Sequence, residues 1–236
     1  MTRIRLLALV CASSAALLPA SPSRAQVSYS LGLGPEITWR TVEHTKTVTI
    51  GGGSSTSTSA ASGLALAARM FGAGHMDLSD GSLQLSGGIE VIVPARRVVE
   101  GTISPTNSGN PHDVWPGRWD FRDGIGLGAT FRVGRHVGDG SRRVYGLIGA
   151  RRMWSEFATG GTNPETGIAG EDRTRLARWP MSVGAGLTLG GRWPADVRVI
   201  YTRSTTDWVV SQPGLRLDYR YVTSGVALSV GIGKIR

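Results

Sequence analysis

Between Val27 and Trp39 the odd positions are apolar (Val27, Tyr29, Leu31, Leu33, Ile37, Trp39), while Ser28, Ser30, Gly32, Gly34, Glu36 and Thr38 fill the even ones. Successive side chains of a strand point to opposite faces, so this segment has one face for oil and one for polar surroundings. An apolar face that ends in tryptophan fits the edge of a hydrocarbon layer, and the segment reads as one stave of a membrane-spanning β-barrel.

The same alternation recurs along the chain. Leu64, Leu66, Ala68 and Met70 predict a second strand, and Leu83, Leu85, Ile89, Val91 and Val93 a third. The fourth spans Asp120 to Gly134, with Phe121, Ile125, Leu127, Ala129, Phe131 and Val133 on one face. The fifth lies near Arg143 to Phe157, where Leu147 and Ile148 disagree about the apolar face. The sixth carries Trp179, Met181, Val183, Ala185, Leu187 and Leu189. In the seventh, Val197 to Val210, the phase set by Val197, Val199 and Tyr201 conflicts with Trp208, and a bulge would reconcile the two. The last changes phase likewise, from Leu215, Leu217, Tyr219 and Tyr221 to Val226, Leu228, Val230 and Ile232. The expected fold is therefore all-β, an eight-stranded antiparallel up-and-down transmembrane β-barrel.

The connectors between these strands alternate in length. Val42 to Ser59, Pro94 to Arg118 and Ala158 to Arg178 are long, and Ser211 to Gly214 is a brief fourth member of that set. Gly72 to Gly81, Arg135 to Arg142 and Gly191 to Asp196 are compact. Gly51 to Ser59 reads as a mobile Gly/Ser/Thr run, and Pro94, Pro105, Pro111 and Pro116 argue against regular structure in the second long connector. Long loops on the outer side and short turns on the periplasmic side, with an even strand count, place both termini in the periplasm. Aromatic residues form two expected girdles. Trp39, Phe121, Trp154, Trp179, Trp208 and Tyr219 lie near the outer rim, and Tyr29, Phe71, Phe131, Tyr145 and Trp193 near the inner one. A soluble sandwich or lipocalin shares the alternation but buries its aromatic residues in a core.

The first 25 residues have Arg3 and Arg5, an apolar run from Leu6 to Leu18, and Ser23 and Ala25 flanking Arg24, which reads as a secretory signal peptide cleaved after Ala25. Residues 26–236 then form one barrel domain. The leader takes with it the only cysteine, Cys11, and three arginines, so the net charge falls from +9 to +6. The remaining arginines are scattered singly, a pattern that suits anionic lipid head groups better than nucleic acid. Glycines within the strands suit the inner wall of a narrow closed barrel.

GIGLGATFRVG at 124–134, SVGAGLTLGG at 182–191 and the final strand GVALSVGIGKIR resemble small eight-stranded outer-membrane barrels, the family of the OmpA transmembrane domain and the opacity-type surface proteins. The resemblance spans essentially the whole mature chain. It implies escort by periplasmic chaperones and insertion by the outer-membrane assembly machinery. One departure stands out: members usually finish on an aromatic residue, whereas this chain ends Lys234, Ile235, Arg236.

Glu36, Arg40, Arg69, Glu90 and Arg132 are expected inside, where opposite charges pair and plug a lumen only as wide as its side chains. His44, His75, His112 and His136 fall in expected loops, none in a His-x-Ser arrangement. His44 and His112 with Asp113 are the nearest approach to an acyltransferase-like site. His75 with Asp77 and Asp80 is the one cluster with metal-ligand character, and a glycine-rich turn accounts for it as well. No catalytic residue, cofactor or metal ligand is assigned. Arg96, Arg97, Arg118, Arg173, Arg175 and Arg178 are expected near the outer rim, facing lipopolysaccharide phosphates. The leading expectation is a non-enzymatic outer-membrane barrel that supports the envelope or displays loops to a surface ligand. A lipid A-modifying enzyme and a narrow ion channel are the alternatives.

Overall fold

The computed structural model describes residues 26–78, 83–96, 98–103, 117–138, 141–162, 167 and 169–235. The expected signal peptide, the turn around Asp80, the segment bearing His112 and Asp113, and Arg97 lie outside the described residues. Eleven strands follow in order: β1 Gln26–Ile50, β2 Gly53–Leu78, β3 Leu83–Arg96, β4 Val98–Ile103, β5 Gly117–Arg122, β6 Gly126–Val137, β7 Arg142–Thr162, β8 Ala169–Arg178, β9 Met181–Leu189, β10 Ala195–Gln212 and β11 Leu215–Ile235.

Antiparallel pairing runs β7–β6–β3–β2–β1–β11–β10–β9 and returns from β9 to β7, closing a ring of eight. Closure leaves no free sheet edge along the ring. The first and last described strands meet in it, with Ser30 opposite Ile235. The other three strands continue the wall upward, β4 after β3, β5 leading into β6, and β8 leading into β9. Above the ring, among the described residues, ladders join β4–β5–β7–β8 on one side and β2–β1–β11–β10 on the other.

In the ring, the outward face is oil and the inward face is mainly polar and charged, with a small apolar cluster of Tyr145, Leu147, Ile200 and Ala227 among the polar groups. Leu31, Leu33 and Ile37 of β1 are exposed, as are Leu127, Ile148, Val183, Val199 and Leu228 around the circumference. Along β1 the outward apolar run from Val27 to Trp39 covers about 30 Å of barrel height for a tilted strand, enough to match a hydrocarbon layer.

Just above Trp39 the polarity reverses without any change in strand direction. Val42, His44 and Val48 now point inward and are buried, while Glu43, Thr45 and Thr47 point outward. The same reversal occurs on β11. Val226, Leu228, Val230 and Ile232 are exposed, but Tyr219 and Tyr221, of opposite parity, are buried. The β10–β11 and β11–β1 ladders keep one continuous register through this level. No bulge is therefore needed on β10 or β11, and the conflicting phases of Trp208 and of Tyr219–Tyr221 are the signature of an inside core that becomes apolar. The upper part is an ordinary water-facing sandwich: Val42, Val99, Ile103, Trp119, Phe121, Phe157, Tyr219 and Tyr221 form one buried cluster between the two half-sheets.

Several loop expectations are corrected accordingly. Residues 51–59 are not a mobile tract, because β1 and β2 form one long hairpin closed by Gly51 and Gly52, with φ of 55° and 88°. Two consecutive positive φ values are what a two-residue hairpin turn demands, and glycine supplies them without a steric cost. Threonine and serine line its flank in hydrogen-bonded cross-strand pairs, Thr41–Ser62, Thr45–Thr58 and Thr47–Thr56. Pro94 lies within β3, and only residues 163–168 separate β7 from β8. The expected fourth strand is interrupted at Asp123–Ile125. Arg122 faces Glu156 and Gly126 faces Met153, so four steps on one strand match three on the other. That extra residue is a bulge, and it puts Phe121 inside and Ile125 outside although both are odd.

Candidate functional site

The alternation that buries one face of every ring strand delivers charged side chains into the lumen, where they stack in tiers. At the tier nearest the chain ends, His75 Nε2 lies 2.7 Å from Ser30 Oγ and its Nδ1 lies 2.8 Å from Ser86 Oγ. Ser86 donates to Gln84, which donates through Nε2 to Asp77 at 2.7 Å. Above it, the Tyr145 hydroxyl donates to Asp196 at 2.5 Å, and Arg69 donates to the same carboxylate at 3.3 Å. Arg132 lies 3.5 Å from Asp196, with its guanidinium 4.9 Å from the Tyr145 ring centre.

The middle tier joins strands from across the barrel. Arg151 of β7 donates a fork to Glu36 of β1 at 2.8 and 3.0 Å and donates through Nε to Glu90 of β3 at 2.6 Å. Arg198 of β10 donates to Glu90 at 2.7 Å. Charge-assisted forks of this kind fix geometry as well as energy, and removing one partner strands the other in a low-dielectric space.

The uppermost charged tier lies at the polarity reversal. Arg178 donates to Ser155, Ser204, Thr223 and Asp123 at 2.8, 3.0, 2.9 and 2.6 Å, and Arg40 pairs with the same Asp123. The bulge after Arg122 aims Asp123 inward. Above this tier the lumen is roofed by the aromatic cluster. Phe121 of that roof contacts both cations, with its ring centre 5.1 Å from the Arg178 guanidinium and 5.7 Å from that of Arg40.

His44 sits within that roof. Its ring stacks on Tyr221 at 4.4 Å and 11°, and meets Trp119 edge-on at 5.7 Å. Neither ring nitrogen has a hydrogen-bond partner. Burial pushes its pKa down from 6.5 to about 3, with a smaller contribution from Lys46, so His44 is neutral. The same burial pushes the Tyr219 and Tyr221 hydroxyls up. Ser59 faces His44 across the hairpin, yet its hydroxyl accepts from Trp119 Nε1 at 2.6 Å. The pair therefore lacks the serine-to-imidazole bond that nucleophilic catalysis uses.

Glu36, Arg40, Arg69, Glu90 and Arg132 are thus brought together in one lumen. Arg151, Arg178, Arg198, Asp123, Asp196 and Tyr145 belong to it too, and sequence reasoning missed them. Asp196 and Arg198 were within reach of parity, alternating with Val197 and Val199. Arg151 was hidden by the Leu147–Ile148 ambiguity, which resolves with Leu147 inward and Ile148 outward. Arg178 is corrected from outer rim to lumen.

The girdles are also corrected. Phe121 and Tyr219 belong to the roof, Tyr145 to the lumen, and Trp208 stacks on Tyr219 at 4.7 Å at the roof's edge. Phe71 is inward beneath Arg69. Trp39, Trp154 and Trp179 remain exposed near one rim of the belt, and Tyr29, Phe131 and Trp193 near the other. Among the expected rim cations, Arg173 and Arg175 pair with Glu156 at 3.0 and 3.1 Å, and Arg118 is exposed. His75 serves serines and Asp77 serves Gln84. Among the described residues no group of three metal-ligating side chains converges.

An oil-facing ring of eight strands around a charged, filled lumen defines the class: a small eight-stranded β-barrel of the outer-membrane type. No family model and no curated protein matches the chain. Solved structures similar to it include Ail, the attachment invasion locus protein of Yersinia pestis (11% identity, TM-score 0.33, 85% of this chain and 97% of that one). The outer membrane protease OmpT of Escherichia coli is similar at 10% identity and TM-score 0.38, covering 93% and 99%. Neisserial surface protein A is similar at 12% and 0.29, covering 84% and 96%.

Proposed function

We propose that this chain is a non-enzymatic outer-membrane barrel that presents a rigid, aromatic-cored sandwich at the cell surface. The observation that carries the reading is the polarity reversal above Trp39. The continuous belt of oil-facing side chains ends there, with Val209 an isolated exposed apolar residue beyond it, and the wall above carries charged pairs suited to water, such as Arg216–Asp218 and Arg220–Asp207. A strand that is inside-out below one level and conventional above it fits a chain that leaves hydrocarbon at that level. In this reading the short turns and both termini are periplasmic, and the Gly51–Gly52 and Pro213–Gly214 tips face the medium. Arg118, Arg173 and Arg175 stand where lipopolysaccharide phosphates and a surface ligand are met.

The lumen tiers support a structural role over a pore, because each is bridged by hydrogen bonds or ion pairs and the roof closes over them. The partnerless, ring-covered His44 supports a non-enzymatic role. The mature chain has no cysteine, so single cysteines at Gly52 and Gly191 give a direct test on intact cells with a membrane-impermeant maleimide. Labelling at 52 and protection at 191 are expected; the reverse, or equal labelling, refutes the orientation. Mass spectrometry of lipid A with and without expression tests the enzymatic alternative, and conductance in a planar bilayer tests the channel.

A further inference from the structure

We propose that the lumen holds a small monovalent anion, of the chemistry of chloride, between Arg69, Arg198 and Ser229. It rests on the closed lumen alone and does not depend on the proposed location. The buried charges of the described residues comprise six arginines and four carboxylates, so the lumen's own acids leave two positive charges unmatched. One belongs to the uppermost tier, where Arg40 and Arg178 share Asp123, and the other to the middle tier taken with the tier beneath it, where Arg69, Arg132, Arg151 and Arg198 face Glu36, Glu90 and Asp196. Arg198 Nη2 lies 2.7 Å from Glu90 Oε2, and Arg69 Nη1 lies 3.9 Å from the same oxygen, so two guanidiniums crowd one carboxylate oxygen.

The orphaned atoms nearby share one polarity. Arg69 Nε and Nη1, Arg198 Nε and Nη1, and the Ser229 hydroxyl are buried without partners. Ser229 is fully buried on β11, and it is the register partner of Arg198 on one side and Glu36 on the other. The four nitrogens only donate, and the hydroxyl donates as readily as it accepts. A pocket of donors with surplus positive charge is satisfied by an anion, which accepts from several N–H and O–H groups and cancels charge; water accepts but cancels none. Arg69 is closely flanked, since a Cβ on Gly231 would meet its Nη2 at 2.8 Å, so the smallest anions are the ones that fit beside it.

The test uses the full mature chain, folded in detergent micelles. Crystals grown in bromide are expected to show an anomalous peak bounded by Arg69, Arg198 and Ser229. Replacing gluconate by chloride at constant ionic strength is expected to raise the midpoint of thermal unfolding, read by gel mobility, in a saturable way. Ser229→Ala is expected to raise the half-saturating chloride concentration at least threefold. Ser229→Asp, which supplies a resident anion, is expected to abolish the chloride response while leaving the folded gel form intact. Anomalous peaks only at surface arginines, or equal midpoints in chloride and gluconate, would overturn the site, as would an unchanged response in Ser229→Ala. Absence of a heat-modifiable form would instead refute the barrel and is scored separately.

Discussion

Acidification is expected to loosen the outer sandwich through one residue, His44. The imidazole is fully buried between Tyr221, Tyr219 and Trp119 with neither nitrogen bonded, and its pKa falls from 6.5 to about 3 because burial penalises the cation. In an opened sandwich the ring regains water and its ordinary pKa. Between pH 6.5 and 3 the opened state therefore binds a proton that the closed state refuses, and stability is lost as pH falls. Linkage sets the slope at about 1.4 kcal/mol per pH unit below 6.5, so lowering pH from 7.5 to 5 costs about 2 kcal/mol. The tyrosines stacked on it do not titrate in that window, since burial raises the Tyr219 and Tyr221 hydroxyls well above it. The assay is urea-induced loss of tryptophan fluorescence from the sandwich, followed between pH 7.5 and 5 in micelles, with gel mobility reporting the ring separately. His44→Phe keeps the ring stack and removes the unbonded nitrogens, so it should gain about 1–2 kcal/mol at neutral pH and lose the pH slope. An unchanged slope in His44→Phe, or no slope in the parent, would refute the reasoning.

Other substitutions test the remaining tiers. Arg151→Ala strips Glu36 and Glu90 of their shared fork and should destabilise the barrel by about 3 kcal/mol or more, read as the urea midpoint of the gel-shifted form. Leu33→Arg, on the lipid face of β1, should cost about 2–4 kcal/mol. Thr45→Arg, twelve positions on but of the same parity, should change stability by no more than about 0.5 kcal/mol in the same assay. Gly186→Ala should be poorly tolerated, because its Cβ would run into the Tyr145 ring and approach the Val197 carbonyl oxygen at 2.8 Å; a smaller side chain in Tyr145→Phe should restore nothing, whereas Tyr145→Ser should relieve part of the loss.

The oil-facing half of each strand was the readable part of this chain. Leu31, Leu33 and Leu228 alternate with small or polar residues, and period two carries that information locally. The roof was not readable, because the pattern of Val42, His44 and Val48 is equally a half-buried strand with its phase shifted by one. Only knowing that β1 continues unbroken to Ile50 converts that shift into a change of solvent. The same ambiguity made Phe121, Tyr219 and Trp208 look like girdle residues. An aromatic ring at a strand's end suits both an interface and a core, and the bulge at Asp123 has no local signature beyond Gly124. The Gly51–Ser59 run misled for a different reason. Its composition lacks core-forming side chains, but a hairpin whose outer flank is bonded by threonine and serine pairs needs none there. In the lumen, Glu36, Arg69 and Glu90 were legible by parity, whereas their partner Arg151 came from a strand of uncertain phase.

The central claim is that β1 leaves hydrocarbon between Trp39 and Thr41 while keeping its register. A nitroxide scan of positions 27 to 49 in lipid vesicles tests it directly, comparing accessibility to molecular oxygen with accessibility to a polar nickel chelate. Odd positions from 27 to 37 should favour oxygen, odd positions from 41 to 47 should favour the chelate, and even positions should be poorly accessible to both throughout. Oxygen-dominated accessibility at 43, 45 and 47, or chelate access at 31 and 33, would contradict the account.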